Sequence, residues 1–232
     1  MYGPPCPVAL PTTKYSPLTC DLYILAVAMT FGMLDFMTKL LRIDSSARTA
    51  DSVSRQLSDR LINRIAPDAD ITVRDLADGI ALLSESTLGA MWTPEADRTD
   101  AQHAELAEAN AAIQELFDAD TIVIGLPIYN FGPPAALKAW ADLVARAGTT
   151  FQYGPTGPEG LVPNKPVYVI VASGGVPVGS PMDLSSTWLT TFLGFLGLTD
   201  ITVIAADQLN VDPEGALAAA QQRVDAVEFA AA

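Results

Sequence analysis

The chain has 232 residues, of which half are hydrophobic, and it carries a formal net charge of -14. This length favours one well-packed domain over two. The acidic balance argues against a nucleic-acid partner and against an anionic membrane, because phosphate groups attract basic surfaces.

Cysteine and histidine are scarce. The two cysteines, Cys6 and Cys20, both lie near the N-terminus. They cannot form a disulfide framework or a thiolate metal site in the core, and a reducing cytoplasm is the simplest setting. The one histidine, His103, excludes a multi-histidine metal site. It lies in the charged helical stretch DAQHAELAE, where we expect a solvated surface residue, and we expect no bound metal.

Residues 1–36 differ from the rest of the chain. Their first half is rich in proline, and the apolar run at 22–33 is too short to span a bilayer. The basic Lys14 before that run and the sequence AVA within it leave a signal peptide open as an alternative. We favour an extension that lies outside the fold and is poorly packed, arising from an early start codon or from added sequence. The domain then comprises residues 37–232.

From Lys39 onward, short hydrophobic runs alternate with longer helical patterns. The strand candidates are Lys39–Ile43, Ile71–Arg74, Thr121–Leu126, Val167–Ala172 and Ile201–Ala205. The helix candidates are Ser52–Ile65, Asp100–Phe117, Pro134–Ala147, Asp183–Phe195 and Asp212–Phe229. This alternation predicts an α/β fold, a flavodoxin-like doubly wound parallel sheet of five strands in the order 2-1-3-4-5, with helices on both faces. Ligands of such sheets bind beyond the carboxyl ends of the strands, so the loops after the first, third and fourth strands form the candidate site.

The loop after the first strand reads IDSSARTADSVSRQL and contains neither a G-x-G-x-x-G nor a G-x-x-x-x-G-K-[ST] motif. It carries four hydroxyl groups around the start of a helix, those of Ser45, Ser46, Ser52 and Ser54. Free amides at a helix N-terminus favour a phosphate, and Arg48 could add charge. The alternative is a polar loop in which Ser52 is only an N-cap. The position of this loop at the carboxyl end of the first strand favours a binding site for a phosphate monoester.

The loop after the third strand, LPIYNFGPP, presents two aromatic residues and an asparagine. Tyr129 and Phe131 could wall a flat ligand such as a flavin ring, Asn130 could form hydrogen bonds to it, and the backbone from Ile128 to Phe131 could donate to its polar edge. The alternative is that both aromatic side chains are buried in the core. Pro133 or Pro134 is expected to start the next helix.

The loop after the fourth strand contains Ala172-Ser173-Gly174-Gly175. Adjacent glycines let a ring approach the backbone closely, although a simple turn explains them equally well when the motif is taken alone. This loop is the third at the same predicted edge of the sheet.

Together these motifs resemble the FMN-dependent NADH:quinone oxidoreductases and azoreductases, a flavodoxin-like family. The most specific match is LPIYNFGPPAALKAWADLVARAGTTFQYGPTGPEGL, and SSARTADSVS, ASGG and TFLGFLG support it. The resemblance extends from about Met37 to the C-terminus. It implies FMN contacts at Ser46, Ser52, Val53, Ser54, Ile128, Tyr129, Asn130, Phe131, Ala172, Ser173, Gly174 and Gly175.

Three positions depart from the family pattern. Ile128 replaces the usual methionine, Ser173 stands where some members have arginine, and Pro177 stands where some have histidine. The last two departures leave the substrate and the choice between NADH and NADPH open.

The resemblance further implies a cytoplasmic, homodimeric flavoprotein. Hydride would pass from NADH or NADPH to FMN in a ping-pong reaction, and two electrons would then pass to a quinone or an azo compound. Since the flavin carries the chemistry, no side chain is expected to be catalytic. Phe151 and Tyr153 are expected to line the partner subunit's flavin site.

The sequence leaves two alternative functions to consider. A flavodoxin-type electron carrier would bind FMN without nicotinamide activity, and its acidic surface would suit a basic redox partner. The long segment from Ala77 to Asp100, with Trp92, instead suggests a wall for a substrate cleft. A phosphodiesterase activity has no supporting metal or nucleophile constellation in the sequence.

Overall fold

A computed structural model of the protein describes residues 37–228. The interpretation of residues 1–36 therefore lies outside the described residues. The strands are β1 (Lys39–Asp44), β2 (Asp70–Asp75), β3 (Thr121–Pro127), β4 (Phe151–Gly154), β5 (Gly157–Gly160), β6 (Val167–Ala172) and β7 (Ile201–Ala206). The helices are α1 (Val53–Ile65), α2 (Glu85–Trp92), α3 (Asp100–Glu105), α4 (Ala107–Asp118), α5 (Ala135–Val144), α6 (Leu184–Leu196) and α7 (Pro213–Asp225).

Five strands form one parallel sheet in the order β2-β1-β3-β6-β7. Numbered along the chain within this sheet, that order is the predicted 2-1-3-4-5, and each predicted strand agrees with the observed one to within one residue. The remaining strands, β4 and β5, form a separate antiparallel hairpin that was not predicted. The predicted α/β class and the strand order of the parallel sheet are confirmed.

Three helix predictions need correction, and in one of them the last helix, expected to reach Phe229, already ends at Asp225. The helix expected over 100–117 is divided into α3 and α4 at Leu106, where ψ is 0° and the side chain is completely buried. The helix expected to reach Ala147 ends at Val144, because the Thr150 hydroxyl donates a hydrogen bond of 2.7 Å to the Val144 carbonyl. The break at Leu106 and the end at Val144 depend on tertiary contacts, which hydrophobic periodicity along the chain does not show.

The central strand β3 is buried along its whole length. Its adjacent residues belong to two different hydrophobic clusters: Ile122 and Ile124 pack in a cluster with residues of α4, α5 and α6, whereas Val123 packs in a cluster with residues of α1 and α7. Alternate side chains of a strand project to opposite faces. None of the helices in the described part of the chain combines the length and apolar character needed to cross a membrane.

Candidate functional site

Two adjacent cavities open at the carboxyl ends of the parallel strands. The first has a volume of about 390 Å³ and the second about 520 Å³. Both are lined by Ile128, Ser173, Gly174 and Asn210, so these residues form their common boundary. A ligand longer than either cavity can therefore extend across both.

Every residue predicted to contact FMN lies in one or both cavities. The first is lined by Ser46, Ser52, Val53, Ser54, Ile128, Tyr129, Ala172, Ser173 and Gly174. The second is lined by Ile128, Asn130, Phe131, Ser173, Gly174 and Gly175. The three loops thus converge as the topology predicted, while the role of each residue stays a prediction.

The N-terminus of α1 lines the first cavity. Ser52 occupies the N-cap position, but its side chain makes no capping hydrogen bond, and its hydroxyl lies 3.3 Å from that of Ser54 instead. The first intrahelical bond is donated by Gln56 to the Ser52 carbonyl, and the backbone N–H groups of Val53 and Ser54 have no acceptor among residues 37–228. Unpaired amides at a helix N-terminus attract an anion.

Two carboxylates stand at strand ends beside this loop. Asp44 ends β1 and is almost completely buried, whereas Asp75 ends β2. Burial raises the pKa of Asp44, although the nearby Arg42 and Arg55 act to lower it. The hydrogen bonds from Arg55 lower the pKa of Asp75. Both negative charges are therefore matched by guanidinium groups close to the site.

The turn after β3 presents its aromatic side chains to solvent. Tyr129 and Gly132 exchange backbone hydrogen bonds of 3.0 and 3.1 Å, and between them Asn130 and Phe131 have positive φ angles of 50° and 70°. Tyr129 is 37% exposed and Phe131 47% exposed. The alternative in which both aromatics are buried in the core is therefore wrong.

One expectation about this turn requires correction. The N–H of Ile128 donates to the Ala172 carbonyl at 2.9 Å, and that of Tyr129 donates to Gly132. Neither amide is free for a ligand, because β3 continues its pairing with β6 at Ile128 and Tyr129 pairs with Gly132 across the turn. In the turn itself, the N–H groups of Asn130 and Phe131 have no acceptor among residues 37–228.

The loop after β6 is held by the loop after β7. Ser173 is buried, its N–H donates to Ala206 at 3.0 Å, and its carbonyl accepts from Leu209 at 3.0 Å. The Asn210 N–H donates to the Gly174 carbonyl at 2.8 Å. A Cβ on Gly174 would lie 2.5 Å from the Asn210 side-chain nitrogen, so any other residue there would displace that side chain.

Sequence reasoning missed the contribution of this fourth loop. Leu209 and Asn210 line the first cavity, and Asn210 also lines the second. They follow β7, whose carboxyl end lies at the same edge as the other strand ends, so the edge rule applied to the fifth strand would have identified them.

Some residues singled out from the sequence lie elsewhere. Phe151 and Tyr153 are on the β4–β5 hairpin and line neither cavity, and Tyr153 is 77% exposed. Trp92, at the end of α2, is also 77% exposed and lines neither cavity. His103 is exposed, which confirms its predicted surface position.

Comparison with known proteins agrees with this architecture. A family model described as "Flavodoxin-like fold" matches residues 38–228. FMN-dependent NADH:quinone oxidoreductase 1 of Jannaschia sp. is 48% identical over 191 residues, which cover 82% of this chain and 99% of the relative. The chain belongs to this flavodoxin-like family. The protein of the same name from Hahella chejuensis is 44% identical over 84% of this chain and 98% of its own length.

Solved structures show the same fold. The FMN complex of an FMN-dependent NADH-azoreductase from Bacillus anthracis superposes with a TM-score of 0.73 and is 27% identical, with 82% of this chain and 96% of that chain covered. Azoreductase AzrA superposes with a TM-score of 0.74 at 24% identity, covering 81% of this chain and 97% of its own. The flavodoxin-like family assignment therefore extends from sequence to tertiary structure.

Proposed function

We propose that this chain binds FMN across the two adjacent cavities and uses NADH to reduce a quinone or an azo compound. The observation that carries the proposal is the first cavity itself, which is lined both by the N-terminus of α1, with its unpaired amides, and by the turn after β3. The relatives named FMN-dependent NADH:quinone oxidoreductase support the choice of cofactor and donor.

The phosphate of FMN fits the loop after β1. The amides of Val53 and Ser54 would donate to its oxygens, and the hydroxyl groups of Ser46, Ser52 and Ser54 would add hydrogen bonds without bulk. The Ser46 hydroxyl lies 3.5 Å from the Tyr129 hydroxyl, so the loop after β1 and the turn after β3 are in contact beside the cavity.

The flavin ring fits between the turns after β3 and β6. Exposed Tyr129 and Phe131 supply apolar surface, and the unpaired amides of Asn130 and Phe131 supply donors for a polar ring edge. Gly174 and Gly175, with Ala172 and Ser173, let the backbone approach the ring from the β6 side.

FMN bound here supplies the redox chemistry, since it accepts hydride from a nicotinamide and gives two electrons to an acceptor. The protein orients the ring and leaves one face accessible, and we propose no catalytic side chain. The second cavity opens beside the exposed Met182 and Pro177. One opening would serve donor and acceptor in turn, which is the basis for proposing a ping-pong order.

The departures from the family pattern now have a structural context. Ser173 is buried, and its hydroxyl accepts a hydrogen bond of 2.9 Å from the Val176 N–H. Unlike the arginine of some members, this neutral side chain offers no positive charge to the 2′-phosphate of NADPH. Pro177 lines the second cavity and is exposed to solvent. This supports NADH as the donor.

Further parts of the proposal concern the whole chain. The two core clusters support helices on both faces of the sheet, and the family match over residues 38–228 supports a domain that begins at Met37. We propose a homodimer in which the exposed Tyr153 and the neighbouring Phe151 line the partner subunit's flavin site. A cytoplasmic location stays a prediction from the cysteine distribution.

The test is a visible spectrum of the FMN-loaded protein before and after anaerobic addition of NADH. We expect the oxidised-flavin bands to disappear and to return when a quinone is added. FMN that binds but is not bleached by NADH or NADPH would support the electron carrier instead. A protein that does not bind FMN would contradict both functions.

A further inference from the structure

The guanidinium group of Arg55 lies at the centre of the loop after β1. Its Nε donates to the Arg48 carbonyl at 3.0 Å, and one terminal nitrogen donates to the Ser46 carbonyl at 2.9 Å. Both terminal nitrogens contact the Asp75 carboxylate, at 2.6 and 2.7 Å. A longer contact of 3.2 Å reaches Asp44. One side chain therefore joins the loop to the ends of β1 and β2.

The loop has few other internal supports. Between Ser46 and the start of α1, the Arg48 N–H donates to the Ser46 hydroxyl at 3.2 Å, and Asp51 adopts a positive φ of 54°. Ala47, Arg48, Thr49 and Ala50 are exposed, so no hydrophobic packing fixes them. A segment with exposed side chains takes its shape from the hydrogen bonds to its backbone. The Arg55 side chain donates two of these, to the Ser46 and Arg48 carbonyls.

Arg55 is also the third residue of α1, which places its backbone at the same helix N-terminus that faces the first cavity. Its side chain turns away from the cavity and lines neither pocket. A role as a direct ligand of phosphate is therefore not the one that the geometry favours.

We infer that Arg55 is a positioning residue for the phosphate of FMN, an inference that rests on the proposed function. The planar fork of Arg55 is clamped by the Asp75 carboxylate and holds the Ser46 and Arg48 carbonyls. It thereby keeps the Ser46 hydroxyl and the α1 amides directed at one point. The clamp also offsets the charges of Asp44 and Asp75, which would otherwise repel a phosphate.

This role differs from a general effect of positive charge. Lysine would preserve the charge but cannot hold two carbonyls and a carboxylate with one planar group. If position matters, Arg55→Lys should resemble Arg55→Gln; if charge alone matters, it should resemble the unsubstituted protein.

The chain provides a matched control on the same helix. Arg60 also forms a two-point pair with an aspartate, since its Nε and a terminal nitrogen contact Asp225 at 2.8 and 2.6 Å. This pair is exposed and touches neither cavity. Arg60→Gln therefore removes the same charge and the same kind of pair from α1.

The experiment measures dissociation constants of FMN and riboflavin for the full chain and its three variants. Hydrogen–deuterium exchange of residues 45–52 in the flavin-free protein is the second readout. We expect Arg55→Gln and Arg55→Lys to raise the dissociation constant of FMN by about tenfold or more, the usual effect of losing charge-assisted contacts. The dissociation constant of riboflavin, which has no phosphate, should change by less than about threefold in the same variants. Exchange in the loop should be faster in both Arg55 variants and unchanged in Arg60→Gln.

Three results would overturn the inference: equal loss of FMN and riboflavin, wild-type FMN binding by Arg55→Lys, or unchanged loop exchange. These differ from failure of the proposed function, in which the unsubstituted protein would not bind FMN. If Arg55→Gln loses riboflavin affinity but Arg55→Lys does not, the glutamine variant has a damaged fold. The FMN affinity of Arg55→Lys then tests the inference.

Discussion

At the scale of single residues, the turn after β3 combines an unfavourable backbone with exposed apolar surface. Phe131 has a φ of 70°, a conformation in which a bulky L-residue is strained, and its ring is 47% exposed. Neither feature helps an unliganded fold. Both are explained if the ring contributes to flavin binding, because the ligand would cover the surface that the turn exposes.

Phe131→Asn tests this explanation. Asparagine tolerates positive φ better than phenylalanine, so the flavin-free protein should keep its stability or gain up to about 1 kcal/mol. FMN affinity should nevertheless fall, because the apolar wall is lost. Urea unfolding and fluorescence titration measure the two quantities.

Trp92→Gln is the control for Phe131→Asn, since it removes an even more exposed aromatic side chain that lines neither cavity. It should leave FMN affinity unchanged. Unchanged FMN affinity in Phe131→Asn would contradict a role for the ring at position 131.

At the scale of elements, the β4–β5 hairpin is docked on the end of α6. The Phe151 ring lies 4.5 Å from that of Phe195, centroid to centroid. Gly160, which ends β5, approaches the backbone of α6 so closely that a Cβ would lie 2.1 Å from the Gly197 nitrogen. Gly197, the C-cap residue directly after α6, has a φ of 106°. The contact between these two glycines sets where the hairpin lies.

Gly160→Ala should therefore destabilise the domain by about 1–3 kcal/mol, because the obstructing atoms are backbone and cannot rotate away. Thermal unfolding of the flavin-free protein measures the change. Gly154→Ala is the control in the same hairpin, since the atoms nearest to its Cβ would belong to the flexible carboxylate of Glu159. Equal stability of the two variants would show that the backbone at the end of α6 can shift at little cost in free energy, which would contradict the prediction.

At the scale of the whole molecule, two proposals concern how the chain is organised. The family match begins at residue 38, close to the predicted domain start at Met37. The exposed Tyr153, which packs edge-on against Phe151 with ring centroids 5.7 Å apart, is the surface proposed to meet a second copy.

A chain that begins at Met37 should bind FMN with the affinity of the full chain and have the mass of a dimer. Light scattering and fluorescence titration provide both values. A lower affinity would contradict the proposed domain boundary. A monomeric mass for both chains, with FMN affinity retained, would contradict the homodimer alone.

Much of the fold and of the site follows from local sequence. The parallel strands are runs of β-branched and apolar residues between helical segments, which limits the topology, and ligands bind at a known edge of such sheets. The convergence of Ser52, Asn130 and Gly174 on one site could therefore be predicted, because each loop directly follows a recognisable strand.

Tertiary structure alone decided which groups at that edge are free. The Ile128 amide is used in the sheet while those of Asn130 and Phe131 are not, and Ser52 precedes α1 without capping it. The clamp of Arg55 on Asp75 joins residues from different elements. Hydrogen bonds across the sheet edge depend on distances in space, which a pattern along the chain does not contain.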